Sequence, residues 1–600
     1  MLLRRRDLDF HLFEVLDLAG LFGAARYADS DRASVAAVLD AAYALAASRF
    51  EPFAAKADAE EPRLESGRVV LPAETGLALR HYADGGFLAT AFPKLLGGLG
   101  LPFIVSQACG GVFASANVSF YSYALLTQGA ANLIARFGSD AQRKAFLPPM
   151  LDGRFFGTMC LSEPQAGSSL ADIRTSAVPL GGGRYALSGQ KMWISGGEHE
   201  LGENIVRLVL ARVPGAPPGV KGISLFIVPR WHLVPDAARG ASNGVQLVGL
   251  NHKMGWRGHV NTALAFGDGV QCVGELLGRE HHGLGYMFHM MNEARVTVGL
   301  CAVGLGYAGF MQSLDYAGTR RQGRSSSAKD PASPQVPLIQ HADVRRMLLA
   351  QKVWVEGGLD LTLYCARLVD DVAAATTDAV RVRAQLLLEL LTPVAKSWPS
   401  EYCLEANKLA IQIFGGAGYT RDFPVERLYR DNRLNPIHEG AYGIHGLDLL
   451  GRKVRVEQGA ALRALLGEVQ RTIATALPHS QLQGECRALA AALRTLAATT
   501  RKLVETAEAG DADLALANAT VYLDAFGTVT VAWRWLAQAQ AALVGLARGI
   551  EVSDSDRAFY AGKLTACSFF FRFDLPRAVQ QLQVLARLDD LALRVPAAAL

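Results

Sequence analysis

The sequence predicts a mainly α-helical protein with a central β domain and a helical extension at its C-terminal end. Three textures predict this. Apolar residues recur at helical spacing over the first quarter; short, partly alternating segments separated by Gly, Pro and Asn follow; helical texture then returns and ends in a long Ala/Leu-rich stretch. With 600 residues, 50% hydrophobic and 19% charged, the chain is globular and long enough for several domains.

Residues 1–155 read as an N-terminal helical domain. VAAVLDAAYALAASRF and YALLTQGAANLIARFG carry apolar and small residues at helical spacing, and the glycines of FPKLLGGLGLP interrupt them with a loop. Residues 156–275 read as a small antiparallel β domain, with GRYALSGQKMWISGG, NIVRLVLARV, KGISLFIVPR and NTALAFGD as its strands. Residues 276–455 are predicted as a helical bundle opening with GLGYMFHMMNEARVTVGLCAVGLGYAGFMQSLDYAGTRR. That segment is so rich in glycine that its helix depends on tight packing against neighbours. A flexible loop, RSSSAKDPASPQVP, is expected at 324–337. Residues 456–600 form the extension, where RALAAALRTLAATTRKLVETAEAG is amphipathic and ends at Gly510. Its 14 Lys+Arg balance its 14 Asp+Glu. No internal repeat is seen.

The formal net charge of +4 is small for this length and does not suggest a nucleic-acid or membrane-surface protein. The eight cysteines are scattered with no CxxC pair, which fits reduced thiols and no sequence-recognisable metal site. MLLRRRDLDFHLFEVLDL mixes acids into its basic start and fits neither a secretory signal nor a transit peptide. No run of about eighteen apolar residues is present, so no membrane span and a cytoplasmic location are expected.

Four stretches carry candidate chemistry. MCLSEPQAGSSLADI (159–173) offers small hydroxyls and backbone amides suited to an acceptor-rich heterocycle or a phosphate, though such a loop is often only a loop. In KMWISGG (191–197), Trp193 gives a stacking plane and Ser195 a hydrogen bond from the same strand, against the alternative of a core tryptophan. QIFGGAGYTRDFPVERLYRD (412–431) has glycines that bring backbone close to a pyrophosphate, but lacks the strand–turn–helix setting of a dinucleotide fingerprint. NPIHEGAYGIHG (435–446) holds one carboxylate, Glu439, among uncharged residues: a base of raised pKa if desolvated, an ordinary surface acid otherwise. REHHG and GGEHE do not place ligands at i, i+4 and read as surface or capping groups, so no metal is expected. Cys160 reads as a packed small hydrophobe, and SFFFRFDLP near residue 570 as core or subunit interface.

In this order, MCLSEPQAGSS, KMWISGG, QIFGGAGYTRDFPVERLYRD and IHEGAYGIHGLDL resemble the acyl-CoA dehydrogenase family of flavoproteins over roughly residues 70–455. NIVRLVLARV, NHKMGWRGH and DYAGTRRQGR further resemble its large bacterial branch with a C-terminal extension, which includes the 3-methylmercaptopropionyl-CoA dehydrogenases. The resemblance implies a helical domain, a β domain and a helical bundle holding FAD between them. It assigns Leu161, Ser162, Trp193 and Ser195 to the flavin ring, and Arg320, Gln412, Gly415 and Gly416 to the FAD diphosphate and adenosine, partly across a subunit interface. A homodimer or larger oligomer follows from that. Ser168 falls on the CoA side, with Ser169 where the family often has Asp, and Arg295 falls near the substrate thioester.

By the same resemblance Glu439 is the catalytic base, and Gly440 lets the backbone turn past the thioester. The implied reaction is FAD-dependent α,β-dehydrogenation of an acyl-CoA to the trans-2-enoyl-CoA, in fatty acid β-oxidation, with electrons passed to an electron-transfer flavoprotein. Ala441 and Tyr442 depart from the usual Gly-Thr-Asn or Gly-Thr-Ser that follows the base. An acyl-CoA oxidase and a non-dehydrogenase flavoprotein of the same fold, DNA-binding or catalytically silent, are the alternatives. The charge balance of the extension speaks against DNA.

Overall fold

The structure, a computed structural model, describes residues 1–234, 240–327, 330, 332–549 and 552–600, with backbone alone at 289–291. The loop expected at 324–337 includes 328, 329 and 331, which lie outside the described residues. Two compact units make up the chain: Arg32–Ala294, and Met1–Asp31 with Arg295–Leu600. The predicted class, mainly helical with a central β sheet and a helical extension, is the one observed.

In the first unit a short hairpin, β1 (Arg63–Glu65) and β2 (Arg68–Val70), precedes the long helix α1 (Phe103–Phe137). Asn117 breaks the helical backbone inside α1, at φ −162° and ψ 93°, and partly makes good the break itself. Its side chain accepts from the Phe120 N–H and donates to the Phe50 carbonyl. Eight strands then form one sheet: β3 (Phe155–Cys160), β4 (Ser176–Gly181), β5 (Arg184–Ser195), β6 (Asn204–Arg212), β7 (Ile223–Pro229), β8 (Val245–Leu250), β9 (Asn261–Phe266) and β10 (Cys272–Leu276). The order is β10-β7-β6-β4-β5-β9-β8. Because β10 also pairs with β5, the first five close on themselves. The pairings are antiparallel except that β3 lies parallel beside β6 and β4 meets β6 at one parallel pair. NIVRLVLAR and ISLFIVP are buried almost throughout, as strands covered on both faces must be.

The glycine-rich segment is one helix, α2 (Gly283–Thr319), and the unit division falls within it. From Arg295 on it packs with α4 (Asp378–Phe414), after α3 (Ala342–Ala374). A Cβ on Gly299 would lie 2.0 Å from the Ala395 carbonyl oxygen and one on Gly306 2.6 Å from the Cys403 Cβ. The glycines thus allow backbone-to-backbone approach, and that packing stabilises a helix their propensity disfavours.

The chain continues through α5 (Tyr442–Gly451), α6 (Gln483–Glu508), α7 (Ala519–Leu546) and α8 (Asp554–Phe573). The extension is joined to residues 1–31 by a buried ionic cluster. Lys563 of α8 donates to Asp7, to Glu356 of α3 at 2.9 Å and to Gln538 at 3.4 Å, while Tyr307 donates to Asp7 at 2.9 Å. Beside it Arg534 pairs with Asp360, which also meets His11. Phe570 and Phe571 of SFFFRFDLP are core, while Phe573 is exposed.

Three helical stretches, Arg32–Ala59, Phe103–Phe137 and Gly283–Thr319, are long and apolar enough to cross a bilayer by length and composition. In the second and third, 89% of the most apolar stretch is buried inside the protein, so core packing accounts for that apolarity.

Candidate active site

The segment bearing Glu439 is anchored from below by three buried asparagines. Asn407 of α4 donates to the Leu305 carbonyl of α2 at 3.0 Å; Asn432 donates to the Ala302 carbonyl and to Asn407 Oδ1; Asn435 donates to Asn432 Oδ1 at 2.8 Å. Each amide answers another, so the turn before the base is fixed to two helices. The chain then passes through two left-handed residues, Glu439 at φ +53° and Gly440 at φ +96°. For a glutamate that conformation is strained and persists only where the surroundings impose it.

Arg295 of α2 and Lys396 of α4 both face the Glu439 carboxylate. Burial pushes that carboxyl above its usual range, and the two cations oppose the rise without cancelling it. Lys396 is fully buried; burial and the Arg295 charge bring it down to about 7 against the pull of Glu439 and Glu401. Burial likewise lowers Arg295, with Asp448 and Glu439 opposing, and its Nε has no hydrogen-bond partner among the described residues. Sequence reasoning missed Lys396. The signal was there: Lys396 is the one charge in LTPVAKSWPS, as Glu439 is in its own stretch.

The other unit holds a second group of the expected residues. Leu161, Ser162 and Ser168 lie on the loop after β3, with Ser168 exposed. Lys191 of β5, wholly buried, donates to the Leu161 carbonyl at 3.0 Å and to Glu163 at 2.9 Å, and the Met192 N–H donates to the Ser162 carbonyl. Glu163 also accepts from the Arg174 and Thr175 N–H groups. Burial pushes Glu163 up, but Lys191 and these hydrogen bonds outweigh it and hold it down to about 2. Burial lowers Lys191 more than Glu163 raises it. A bulge between Lys191 and Ile194 sets Trp193 at φ +65°, leaving the residue 63% exposed, so the core-tryptophan alternative does not hold. Ser195 Oγ accepts from Asn261 at 3.1 Å.

In the helical unit, α4 ends at Phe414, and Gln412, Gly415 and Gly416 are exposed there. Arg320 is exposed just after α2. Gly415, at φ +61° and ψ −136°, occupies backbone space open only to glycine. A Cβ on either Gly415 or Gly416 would meet nothing within 4 Å, so open space adjoins that backbone. On the β unit, an exposed indole on a strained bulge and half-buried hydroxyls at Ser162 and Ser195 suit a heterocycle; on the helical unit, an open glycine turn suits a phosphate. The residues expected at the flavin ring and those expected at the diphosphate and adenosine lie on different units.

One expectation needs adjusting, and the packed Cys160 does not. GGEHE is not surface: Glu198 and His199 are buried, with Glu198 paired to Arg207 and Arg230. Arg207 has to be paired because β6 buries it completely. Cys160 is a packed thiol that burial pushes up to about 12. No group of three His, Cys, Asp or Glu able to hold a metal occurs among the described residues.

Four family models match the chain: acyl-CoA dehydrogenase N-terminal domain at 33–154, middle domain at 158–268 and C-terminal domain at 281–454, then acetyl-CoA dehydrogenase C-terminal like at 465–596. The 3-methylmercaptopropionyl-CoA dehydrogenase of Ruegeria pomeroyi is 38% identical over 86% of each chain. A broad-specificity linear acyl-CoA dehydrogenase of Mycobacterium tuberculosis is 31% identical over 98% of this chain and 97% of its own. Among solved structures, Caenorhabditis elegans ACDH-11 in complex with C11-CoA shares the fold at TM-score 0.76 and 20% identity, over 93% of this chain and 91% of its own. A Bacillus anthracis acyl-CoA dehydrogenase complexed with FAD does so at 0.73 and 19%, over 95% and 90%.

Proposed function

The chain belongs to the acyl-CoA dehydrogenase family of oxidoreductases, and from that membership we propose that it is an FAD-dependent enzyme oxidising the Cα–Cβ bond of an acyl-CoA to the trans-2-enoyl-CoA. The observation that carries the reading is Glu439: a lone carboxylate in strained backbone, its pKa raised by burial, facing two buried cations. A Cα–H is a very weak acid, so its base must be close, desolvated and of raised pKa. Glu439 takes the Cα proton on a carboxylate oxygen; Arg295 stands on the thioester side, and Gly440 gives the backbone its turn. Backbone amides stabilise the enolate-like charge as it forms on the thioester oxygen. Bound FAD supplies the acceptor for the hydride that leaves Cβ. Leu161, Ser162, Trp193 and Ser195 are assigned to its ring, Arg320, Gln412, Gly415 and Gly416 to its diphosphate and adenosine, and Ser168 to the CoA.

The proposal extends to an electron-transfer flavoprotein as electron acceptor, a homodimer, a cytoplasmic setting and a role in fatty acid β-oxidation. The named relatives favour a linear or thioether acyl chain. The test is anaerobic titration of the FAD-loaded protein with a panel of acyl-CoAs, following the oxidised flavin band. One chain type is expected to bleach it rapidly in the wild type and not in Glu439→Gln. Flavin that binds and is bleached by no acyl-CoA would sink the reading, and rapid reoxidation by oxygen would make the enzyme an oxidase.

A further inference from the structure

Both carbonyls of the strained Glu439–Gly440 dipeptide are held by buried basic side chains, each from a different helix. Lys396 Nζ of α4 donates to the Gly440 carbonyl at 2.7 Å. His445 Nε2 of α5 lies 3.2 Å from the Glu439 carbonyl, a contact that requires the proton on Nε2. Both side chains are completely buried. The fit is close: a Cβ on Gly440 would lie 2.6 Å from His445 Nε2, so the glycine is needed for the latch as well as for its φ of +96°. Lys396 Nζ has no other hydrogen bond among the described residues, which is a costly way to bury an ammonium unless its place matters.

We infer that Lys396 and His445 are positioning residues that lock the Glu439–Gly440 backbone and so aim the carboxylate, with Lys396 also setting the pH at which that carboxylate ionises. This rests on the reading of Glu439 as the base. Three charged groups face Lys396: Glu439 from the turn, Arg295 from α2 and Glu401 from its own helix. Its charge acts in turn on His438 and His445, whose rings burial keeps neutral. Arg295 faces Asp448 and Arg452 beyond Glu439. The sign is fixed by these neighbours. The base works when ionised, so the rate rises with pH through its pKa. Removing the Lys396 cation leaves burial less opposed, raises that pKa and moves the limb to higher pH.

The experiment is the pH profile of single-turnover flavin bleaching at saturating acyl-CoA, with the ionisation of the Glu439 carboxyl followed separately by infrared difference spectra against Glu439→Gln. Lys396→Met is expected to slow bleaching by roughly 10- to 100-fold, the cost of a misplaced reacting group, and to move both the limb and the carboxyl band to higher pH. Lys396→Arg is expected to return the limb towards the wild-type position. His445→Leu is expected to slow bleaching, and His445→Gln, which keeps a donor near Nε2, to restore most of it. A limb and carboxyl band unmoved in Lys396→Met overturn the inference. Should that variant fail to load flavin, equal rates for His445→Leu and His445→Gln overturn it instead. Wild-type bleaching by Glu439→Gln strikes the reading of the base itself. An inert Glu439→Gln with an unmoved limb in Lys396→Met strikes only this inference.

Discussion

Among the described residues two lysines are wholly buried in the helical unit, and they are treated in opposite ways. Lys563 lies among Asp7, Glu356 and Gln538, with the rings of Phe10, Phe559 and Trp535 4.9 to 5.7 Å away. Burial lowers its pKa, but the two carboxylates more than reverse that, so it stays charged. Lys396 has one carbonyl as acceptor and a second cation nearby, and is brought down to about 7. The first is a joint, satisfied on every side, tying the N-terminal residues and the extension to α3. The second is an incompletely paired charge next to a strained glutamate. Unsatisfied burial is what distinguishes a group tuned for chemistry from one that only holds the fold together.

The comparison can be broken most severely at Lys563. Lys563→Met leaves Asp7 buried without its lysine while Glu356 keeps only Lys352, which should cost about 3–5 kcal/mol in denaturant unfolding. Asp7 is pushed up by burial but held below its usual range chiefly by Lys563 and His11. Its contribution is present above the unfolded carboxyl pKa and lost as pH falls through the folded one, so the variant should also lose acid-limb stability. Its bleaching limb should stay where the wild type has it. Lys396→Met should do the reverse. Removing an under-paired charge offsets the loss of one hydrogen bond, so its stability should change by about 1 kcal/mol or less, while the limb moves. If both variants lose stability equally, the distinction between the two lysines fails.

The sequence made one of these sites legible and not the other. Glu439 stands out because nothing around it is charged, and the family resemblance of IHEGAYGIHGLDL gives it a role. The strands are legible too, since NIVRLVLAR and ISLFIVP are apolar runs bounded by turn residues. The helix from Gly283 was legible only as a conflict, its glycines disfavouring the helix that its spacing required. The closeness of Ala395 and Cys403 settles it. Lys563 was illegible: its partners are 556 and 207 residues away in sequence, and no local pattern encodes such pairings. The same holds for Arg207, whose arginine in an apolar strand gives no hint of Glu198 nine residues earlier as its partner.

The β unit offers a further buried lysine that sharpens the contrast. Lys191 and Glu163 form a nearly isolated ion pair, and both are buried. Because Glu163 is held down to about 2, its contribution is present above the unfolded pKa and is lost as pH falls from about 4 towards 2. Glu163→Gln should remove that dependence and cost about 2–3 kcal/mol above pH 5, measured by unfolding at several pH values. It should also loosen the loop carrying Ser162, read as weaker FAD binding. A variant with unchanged acid unfolding would show the pair to be ornamental.

The smallest effect is expected beside the base. Ser139, Thr377 and Ser553 each cap a helix with a side-chain oxygen, but Ala441 stands at the N-cap of α5 and has none to offer. Its backbone is already in the extended conformation a capping residue adopts, at φ −63° and ψ 154°. Ala441→Thr places a hydroxyl where it can accept from the N–H of Gly443 or Ile444. The gain should be about 0.5–1 kcal/mol, or a rise in Tm of roughly 1–2 °C for a unit of this size. Since α5 also carries His445, a firmer first turn should steady the latch on the Glu439 carbonyl and leave the pH limb in place, because no charge is added. A lower Tm would mean that the neighbouring Tyr442, not the missing cap, decides the geometry there. The alanine would then be an accommodation to that tyrosine's bulk, and the departure from the usual threonine would be a single coupled change across Ala441 and Tyr442.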